Sequence, residues 1–358
     1  MAFLQFKNAR IAGLAAGVPK QIGSNLDHSL HNISDDYTPE AFVEATGVLE
    51  RHISDTLTTS DLGYEAAERL IADIGWDKKE IEALVFVSQT ADYIFPATAC
   101  ILQDRLGLSK ECYAADVALG CSGWIYGLSY VSGLLSAGTI RKAILIAGDA
   151  KPRFHCVVNP LFGHAATATA VEYSEGADGF MFHFGTDGSG YDAIITPDGG
   201  SRNQTNLKSF DKEMIDGREI NRLQGRMKGM DVFAFGISTA PKSIKKLAEQ
   251  YGFNYLDADY YVFHQANMKM NNTIVKKLKL DPGKVPSCMY HFGNTSSASI
   301  PLTIVTQLKG RIEHRPTKFI CCGFGVGLSW GTLAMETNDI IVSDLVEVEE
   351  PEGDSPWV

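Results

Sequence analysis

The chain lacks the cysteine spacing of a disulfide framework or of a thiolate zinc site. Its seven cysteines are odd in number, and no two of them form a Cys-x-x-Cys pair. Disulfide-rich secreted folds and structural zinc sites depend on regular pairs of this kind. We therefore expect reduced thiols, one of which could be reactive, and no metal site.

The sequence also lacks a hydrophobic run long enough to span a bilayer and an excess of basic residues. Its most hydrophobic helical stretch, residues 124–137, is short and includes Gly, Ser and Tyr. The first ten residues lack the basic and apolar order of a secretory signal. The net charge of −11 disfavours a nucleic-acid partner. We expect a cytosolic protein with no membrane span and no nucleic-acid partner.

Strand-like runs alternate with helical patterns, which predicts βαβ units and a parallel sheet. The order in the first part of the chain recurs later at nearly constant spacing. Residue pairs 88 and 264, 121 and 294, and 148 and 323 have offsets of 176, 173 and 175 residues. Such a shared offset predicts a duplication. We predict an N-terminal half over 1–175, a C-terminal half over 176–345 and an acidic tail over 346–358.

Cys121 lies where a strand-like run turns into the apolar helical run 125–137. Unpaired N–H groups and the helix dipole at such a point favour a thiolate, whereas an isolated cysteine is more often buried filler. The duplication makes Asn294 equivalent to Cys121. His264 ends a strand, where ligand sites of open α/β sheets lie. A pseudo-dyad would bring Cys121, His264 and Asn294 to one centre, although structural roles as a strand-end histidine and a helix cap remain open.

These three residue types allow two chemistries. Papain-like amide hydrolysis uses Cys, His and Asn, but the Cys-Gly-Ser-Cys-Trp signature of that group is absent. Acyl transfer from a thioester to Cys121 is the alternative, with His264 and Asn294 as neutral donors to an enolate. The glycine-rich run 323–331 lets the backbone approach another group closely and could supply an N–H to an oxyanion.

Six motifs resemble β-ketoacyl-ACP synthase III, within the thiolase superfamily, and they occur in that family's order. They are Gly47-Val-Leu-Glu-Arg-His52, Phe95-Pro-Ala-Thr-Ala-Cys100, Gly120-Cys-Ser-Gly-Trp-Ile-Tyr126, His264-Gln-Ala-Asn267, Gly293-Asn-Thr-Ser-Ser-Ala-Ser-Ile-Pro-Leu302 and Gly323-Phe-Gly-Val-Gly-Leu-Ser-Trp-Gly331. The resemblance implies a duplicated five-layered α-β-α-β-α fold and a homodimer. It also implies decarboxylative condensation of an acyl group with malonyl-ACP, without a cofactor.

The resemblance also implies roles for individual residues. Cys121 would carry the acyl group, and His264 and Asn294 would face the malonyl thioester carbonyl. The backbone N–H groups of Cys121 and Val326 would form the oxyanion hole. The remaining implied substrate contacts are Asn267, Phe324 as a shield for the malonyl carboxylate, and Phe95 reaching across the dimer into the partner's acyl pocket.

Carrier-protein docking is the role that the resemblance implies for Lys269, Lys276 and Lys277. Lys269 and Lys276 share a helix face, while Met270, Ile274 and Leu278 form an apolar one. An ordinary solvated lysine face is the alternative. A basic patch on a chain of net charge −11 suits an acidic carrier.

Departures from the family bear on the acyl donor. Ala41 and Ala45 stand where the family holds coenzyme A with an aromatic residue and an arginine, and His164 interrupts a Gly-Asp-Gly motif. Residues 203–227 form a long segment, with basic residues near the predicted entrance: Arg218, Arg222, Arg226 and Lys228. These departures disfavour short acyl-CoA as the primer and make a carrier-bound or unusual acyl donor plausible.

Three functions remain open from the sequence. The first is a synthase III-like carbon–carbon bond-forming enzyme, favoured because both His264 and Asn294 are present. The second is an acyltransferase that moves the acyl group from Cys121 to a hydroxyl or amine, which needs a general base more than an enolate hole. The third is a catalytically idle binder of acyl carriers.

Overall fold

The computed structural model describes residues 2–27, 38–150, 159–215 and 218–351. Two large mixed sheets dominate this part of the chain. The first sheet has the order β17-β2-β8-β7-β5-β6, with β18 also beside β2. Its strands are β2 (Ala9–Pro19), β5 (Ala83–Val87), β6 (Tyr113–Val117), β7 (Lys142–Asp149), β8 (Ala165–Tyr173), β17 (Ile341–Val342) and β18 (Val346–Val348).

The second sheet has the order β1-β9-β16-β15-β14. Its strands are β1 (Ala2–Phe6), β9 (Phe180–Thr186), β14 (Tyr260–Phe263), β15 (Thr317–Gly325) and β16 (Ser329–Thr337). In each sheet two antiparallel pairings are followed by a parallel one: β2-β8-β7-β5 in the first and β9-β16-β15-β14 in the second. The same arrangement therefore occurs twice, as the constant offset predicts.

Helices form three layers around the two sheets. The central layer is α4 (Gly123–Ser136) and α8 (Ser299–Leu308), whose apolar side chains share one core cluster with both sheets. The outer layers are α2 (Thr59–Ile74) and α3 (Thr98–Arg105) on the first sheet, and α5 (Gly229–Tyr251) and α6 (Met268–Leu278) on the second. The predicted five-layered α-β-α-β-α fold is confirmed.

Alternation along β5 shows why the layers form. Leu84 and Phe86 pack with α2 and α3, whereas Val85 and Val87 point into the central core. Successive side chains of a strand point to opposite faces, so an all-apolar strand needs a helical layer on each side. This explains how a continuous apolar run becomes a strand buried at all five positions.

The described residues also form several shorter strands and two short α-helices. They are β3 (Ile22–Ser24), β4 (Glu50–His52), β10 (Ile194–Ile195), β11 (Glu213–Ile215), β12 (Arg218–Ile220), β13 (Arg226–Met227), α1 (Pro39–Thr46) and α7 (Met289–Phe292). The predicted boundary at 175/176 falls between β8 and β9 and stays a prediction. Strand β1 pairs with β9 of the second sheet, and β17 and β18 pair with β2 of the first. Residues 352–358 of the predicted tail lie outside the described residues.

Candidate active site

A cavity of about 440 Å³ opens between the carboxyl ends of strands from both sheets. Cys121, His264 and Asn294 all line it. His264 follows β14, Cys121 lies in the turn before α4, and Asn294 lies in the loop before α8. The sequence-based prediction that these three residues share one centre is consistent with this geometry.

Cys121 lies two residues before α4, with 9% of its surface exposed. Burial raises the pKa of its thiol to about 11. Hydrogen bonds from the backbone N–H of Val326, from the Ser296 hydroxyl and from its own N–H lower this pKa, whereas the Asp149 charge raises it. The expected stabilisation of a thiolate by the helix N-terminus is therefore outweighed by burial.

Gly325 packs directly on the nucleophile candidate. A Cβ atom at this position would lie 2.7 Å from Cys121 Sγ and 2.6 Å from its Cβ, which is closer than atoms pack. Only a glycine lets the β15 end run so near the thiol. The next residue, Val326, directs its N–H at the same sulfur. The N–H groups of Cys121 and Val326 both act on this sulfur, and each lowers the pKa of the thiol.

His264 is 2% exposed, and burial lowers its pKa to about 3 although the Ser296 carbonyl opposes this shift. The imidazole is therefore neutral near pH 7. Its Nδ1 lies 2.8 Å from the Ser299 hydroxyl, at the start of α8. Nε2 is the second ring nitrogen, and the tautomer decides which of the two carries the proton.

The side chain of Asn294, like that of His264, has one of its two polar atoms engaged by a neighbouring residue. Its Oδ1 accepts a hydrogen bond from the Ser296 N–H at 2.9 Å, so the acceptor end of the side chain is occupied within its own loop. Ser296 adopts a positive φ of 50°, which turns this loop tightly. The backbone of Asn294 also pairs with Phe162 in an isolated parallel bridge.

The predicted substrate contacts divide into two groups. Asn267 and Phe324 line the cavity. Asn267 caps α6 through Oδ1, which accepts the Met270 N–H at 2.8 Å, and the Phe324 ring meets His264 edge to face at 5.7 Å. Phe95 lies outside the cavity lining and is 83% exposed, beside Ile94 at 94%.

The predicted docking lysines lie on the exposed side of α6. Lys269 lines the cavity entrance, and Lys276 and Lys277 are exposed further along the helix. The predicted apolar face of α6 is confirmed, because Met270, Ile274 and Leu278 are buried. Lys277 Nζ donates to the Ile237 carbonyl at 2.9 Å. Lys277 therefore has a partner in α5, in contrast to an ordinary fully solvated lysine.

The basic residues of the long segment are ion-paired. Arg222 contacts Asp198 at 2.9 Å, Arg226 contacts Glu213 at 3.3 Å and Lys228 contacts Asp192 at 2.7 Å. The side chain of Arg218 lies outside the described residues. The segment instead contributes part of a largely apolar cavity wall. From the segment come Ile220, Gln224, Gly225 and Met227, and the wall is continued by Ile194 of β10 and by Gly229, Met230, Val232 and Phe233 of α5. The segment therefore contributes apolar surface to the cavity, while its described basic residues Arg222 and Arg226 are paired with acidic side chains.

Sequence reasoning missed three polar residues near the thiol. Ser296 bonds to the sulfur, Ser299 contacts His264, and Asp149 lines the cavity with its carboxylate accepting from the Gln89 N–H at 2.8 Å. Ser296 and Ser299 belong to the small-residue loop that the sequence singled out, but nothing in the pattern assigned them contacts.

Within the described residues, no group of three His, Cys, Asp or Glu side chains could hold a metal ion. Of the helices described, none is both long and apolar enough to cross a membrane.

Two family models match the chain. The description 3-oxoacyl-[acyl-carrier-protein] synthase III fits residues 115–188, and its C-terminal counterpart fits 248–337. A curated relative, the β-ketoacyl-[acyl-carrier-protein] synthase III of Clostridium acetobutylicum, is 32% identical over 92% of this chain and 98% of its own. This chain belongs to the 3-oxoacyl-ACP synthase III family. The predicted resemblance is confirmed, and the protein is a condensing acyltransferase of the synthase III type.

Other synthase III proteins agree with this assignment. The β-ketoacyl-[acyl-carrier-protein] synthase III of Desulfitobacterium hafniense strain Y51 is 30% identical over 91% of this chain and 97% of its own. A solved 3-oxoacyl-(acyl-carrier-protein) synthase from Burkholderia xenovorans superposes with a TM-score of 0.87 at 33% identity, covering 97% of this chain and 99% of that one. The match extends over nearly the whole chain, so both sheets and the cavity between them belong to the shared fold.

Proposed function

We propose that this synthase III-type enzyme transfers an acyl group to Cys121 and condenses it with malonyl-ACP to give a 3-oxoacyl-ACP. The observation that carries the residue assignment is the paired orientation of His264 and Asn294. In each, the atom turned away from the cavity has a partner, Ser299 for Nδ1 and the Ser296 N–H for Oδ1. The atoms left for the cavity suit a developing negative oxygen.

In the first half-reaction, Cys121 Sγ attacks the thioester carbonyl of the donor. A new S–C bond forms, the old one breaks, and the carrier thiol leaves with the proton of Cys121. The N–H groups of Cys121 and Val326 bind the oxygen of the tetrahedral intermediate. Because burial raises the pKa of the free thiol to about 11, the proton must leave as the new bond forms.

In the second half-reaction, His264 Nε2 and the Asn294 amide donate to the thioester carbonyl of malonyl-ACP. Loss of CO2 leaves an enolate on that oxygen. The enolate carbon attacks the acyl carbonyl on Cys121, the C–S bond to Cys121 breaks, and the released thiolate takes a proton from water to restore the free thiol. The donor role needs the His264 proton on Nε2, the tautomer in which Nδ1 accepts from the Ser299 hydroxyl 2.8 Å away. A pKa near 3 keeps the imidazole neutral while it donates.

Three other side chains complete the proposed substrate contacts. Phe324 shields the malonyl carboxylate from water next to His264, which favours decarboxylation. Asn267 offers its amide to the carrier arm, since its oxygen is used by α6. Phe95 fills the acyl pocket of a partner subunit, and the exposure of Phe95 and Ile94 supports their burial in a homodimer.

The acyl carrier protein docks on Lys269, Lys276 and Lys277. All three are exposed on α6, and Lys269 lies where the cavity opens. An acidic carrier would meet local positive charge on a chain whose net charge is −11. The donor acyl group arrives on such a carrier or on CoA, and the reaction needs no cofactor. A cytoplasmic homodimer is the form that we propose.

Intact mass and product analysis test this function together. The protein is incubated with acyl-CoA and acyl-ACP thioesters, and then with malonyl-ACP while CO2 and 3-oxoacyl product are followed. We expect an adduct that is absent in Cys121→Ala, followed by CO2 release. An adduct that passes to a hydroxyl or amine without CO2 would support the acyltransferase alternative, which the low pKa of His264 makes a poor fit for base catalysis.

A further inference from the structure

Two buried serine hydroxyls link the cysteine turn to the glycine-rich loop. Ser122 directly follows the nucleophile, and Ser329 opens β16 after the turn that contains Val326. Their Oγ atoms are 2.7 Å apart, and the residues are 1% and 3% exposed. Buried hydroxyls are costly unless they are hydrogen-bonded, so this pair has a defined geometry.

The direction of the two hydrogen bonds follows from proton counting. Ser329 Oγ donates to the carbonyl of Val326 at 2.8 Å. A hydroxyl has one proton to donate, so Ser329 must accept from Ser122 in the 2.7 Å contact. The result is a chain from Ser122 through Ser329 to the carbonyl of Val326. This chain holds Val326 from its carbonyl side, opposite the N–H that points at Cys121 Sγ.

The turn is also held by two backbone hydrogen bonds between Leu328 and Asp187, at 2.8 and 3.0 Å. Gly327 has a φ of +138°, a conformation that residues with a side chain rarely adopt, and a Cβ there would lie 3.0 Å from the Ser329 nitrogen. Glycine gives the turn its freedom but contributes no side chain to fix it. The hydroxyl of Ser329 supplies a hydrogen bond across this turn, between residues 326 and 329.

We propose that Ser122 and Ser329 are positioning residues that hold the backbone of Val326 so that its N–H points at the reacting centre on Cys121. This proposal rests on the proposed function for its oxyanion-hole part. The contact between the Val326 N–H and the sulfur exists in the free enzyme, so that part can be tested without any acyl donor. Ser329 acts directly on Val326, whereas Ser122 acts through Ser329. Loss of the Ser329 hydroxyl should therefore slow the reactions of Cys121 more than loss of the Ser122 hydroxyl.

The first test is alkylation of Cys121 by iodoacetamide across pH 7–9 in Ser329→Ala, Ser329→Thr and Ser122→Ala. The Val326 N–H stabilises the thiolate, so a misdirected N–H lowers the alkylation rate. We expect Ser329→Ala to react most slowly, Ser122→Ala to be intermediate and Ser329→Thr to match the parent. Ser132→Ala is the matched control, because the hydroxyl of this buried α4 serine, among the contacts described, bonds only to the Leu128 carbonyl of its own helix.

The second test is the acylation step, followed by intact mass at several donor concentrations. Removing an oxyanion donor outright costs about 10²–10³-fold in rate, so loss of its support in Ser329→Ala should cost about 10-fold with KM unchanged. The double variant Ser122→Ala/Ser329→Ala should be acylated no more slowly than Ser329→Ala alone, because Ser122 acts on Val326 only through Ser329. The proposal would be overturned if the losses of acylation rate in Ser122→Ala and Ser329→Ala added in the double variant. It would also be overturned if the parent and Ser329→Ala were alkylated at equal rates. If no thioester acylates even the parent, the proposed function fails while the alkylation result still decides the role of the serines.

Discussion

The backbone of Phe162 pairs with that of Asn294 in an isolated parallel bridge, with the Asn294 N–H donating to the Leu161 carbonyl at 2.8 Å. Residue 162 lies between β7 and β8 of the first sheet, whereas residue 294 precedes α8, the central helix of the second repeat. The loop that presents the Asn294 amide is therefore held from the other repeat. This contact ties the geometry of the cavity to the association of the two sheets.

Replacement of the thiol separates binding from chemistry. Cys121→Ser keeps nearly the same volume but has a far weaker nucleophile, so we expect no acyl adduct and no condensation. The buried Cys288→Ser serves as the control, because Cys288 packs in the core with Thr303 as its partner at 3.2 Å. Intact mass after incubation with acyl thioesters measures both. An adduct of equal yield in Cys121→Ser would disprove the nucleophile assignment.

The two donors should affect the second half-reaction and spare the first. His264→Ala and Asn294→Ala each remove one hydrogen bond to the malonyl carbonyl, and we expect CO2 release to fall by about 10²–10³-fold. Acylation of Cys121 should change little, since the N–H groups of Cys121 and Val326 serve that step. Single-turnover acylation and malonyl decarboxylation are measured separately. Equal losses in both steps would assign these residues to general folding or binding instead.

Acidification should weaken the fold through His264. Its pKa is about 3 when folded and near 6.5 when unfolded, so the unfolded chain binds the extra proton between these values. The free energy of unfolding therefore falls as pH decreases below 6.5 and continues to fall toward 3, while pH above 6.5 has no effect through this group. Thermal unfolding of the parent and His264→Gln from pH 8 to pH 4 measures this. An identical pH dependence in both proteins would contradict the prediction.

A methyl group on the loop beside the thiol should stop acylation. Gly325→Ala would introduce a Cβ 2.7 Å from Cys121 Sγ, so the sulfur or the loop must move. A displacement of this size at a reacting atom costs about 10²-fold in rate. Gly200→Ala is the control, because nothing lies within 4 Å of the new Cβ. The rates of adduct formation and of iodoacetamide alkylation should both fall in the first variant and stay unchanged in the second.

The central helix is fixed to the first sheet by one buried hydrogen bond. Trp124 Nε1 donates to Thr169 Oγ1 at 3.0 Å, with both residues almost fully buried. Thr169→Val leaves the indole N–H without this partner and should lower the free energy of unfolding by about 1–3 kcal/mol. Thr306→Val is the milder control, because the half-buried Thr306 hydroxyl bonds only within and beside its own helix, to the Leu302 carbonyl and from the Gln307 side chain. Thermal unfolding midpoints compare the two, and equal shifts would remove any special role of the indole contact.

The sequence predicted the features that come from a repeated order of elements or from a regular spacing of apolar residues. The shared offset identified both sheets, and the helical spacing of Met270, Ile274 and Leu278 identified the buried face of α6. The pairing of β1 with β9 was not predictable, since nothing in residues 2–6 records a partner as distant in sequence as Phe184, which pairs with Ala2. Local patterns describe faces, whereas long-range pairing is decided by the packing of the whole chain.

The cavity was predictable in its residues but not in its electrostatics. Motif order brought Cys121, His264 and Asn294 together, yet the helix N-terminus suggested a thiolate where burial gives a pKa of about 11. Burial depends on residues from every layer, so no local pattern reports it. The contact of Ser296 with the sulfur likewise depends on a positive φ at a residue type that seldom adopts one.

The exchange of terminal strands between the sheets makes the two repeats inseparable. The first sheet borrows β17 and β18 from the end of the chain, and the second borrows β1 from its beginning. A fragment that stops at residue 175 would therefore carry one orphan strand and leave an edge of β2 unpaired. Although the repeats share one topology, each sheet contains strands from both halves of the chain, and during synthesis the first sheet becomes complete only after β18 has been made.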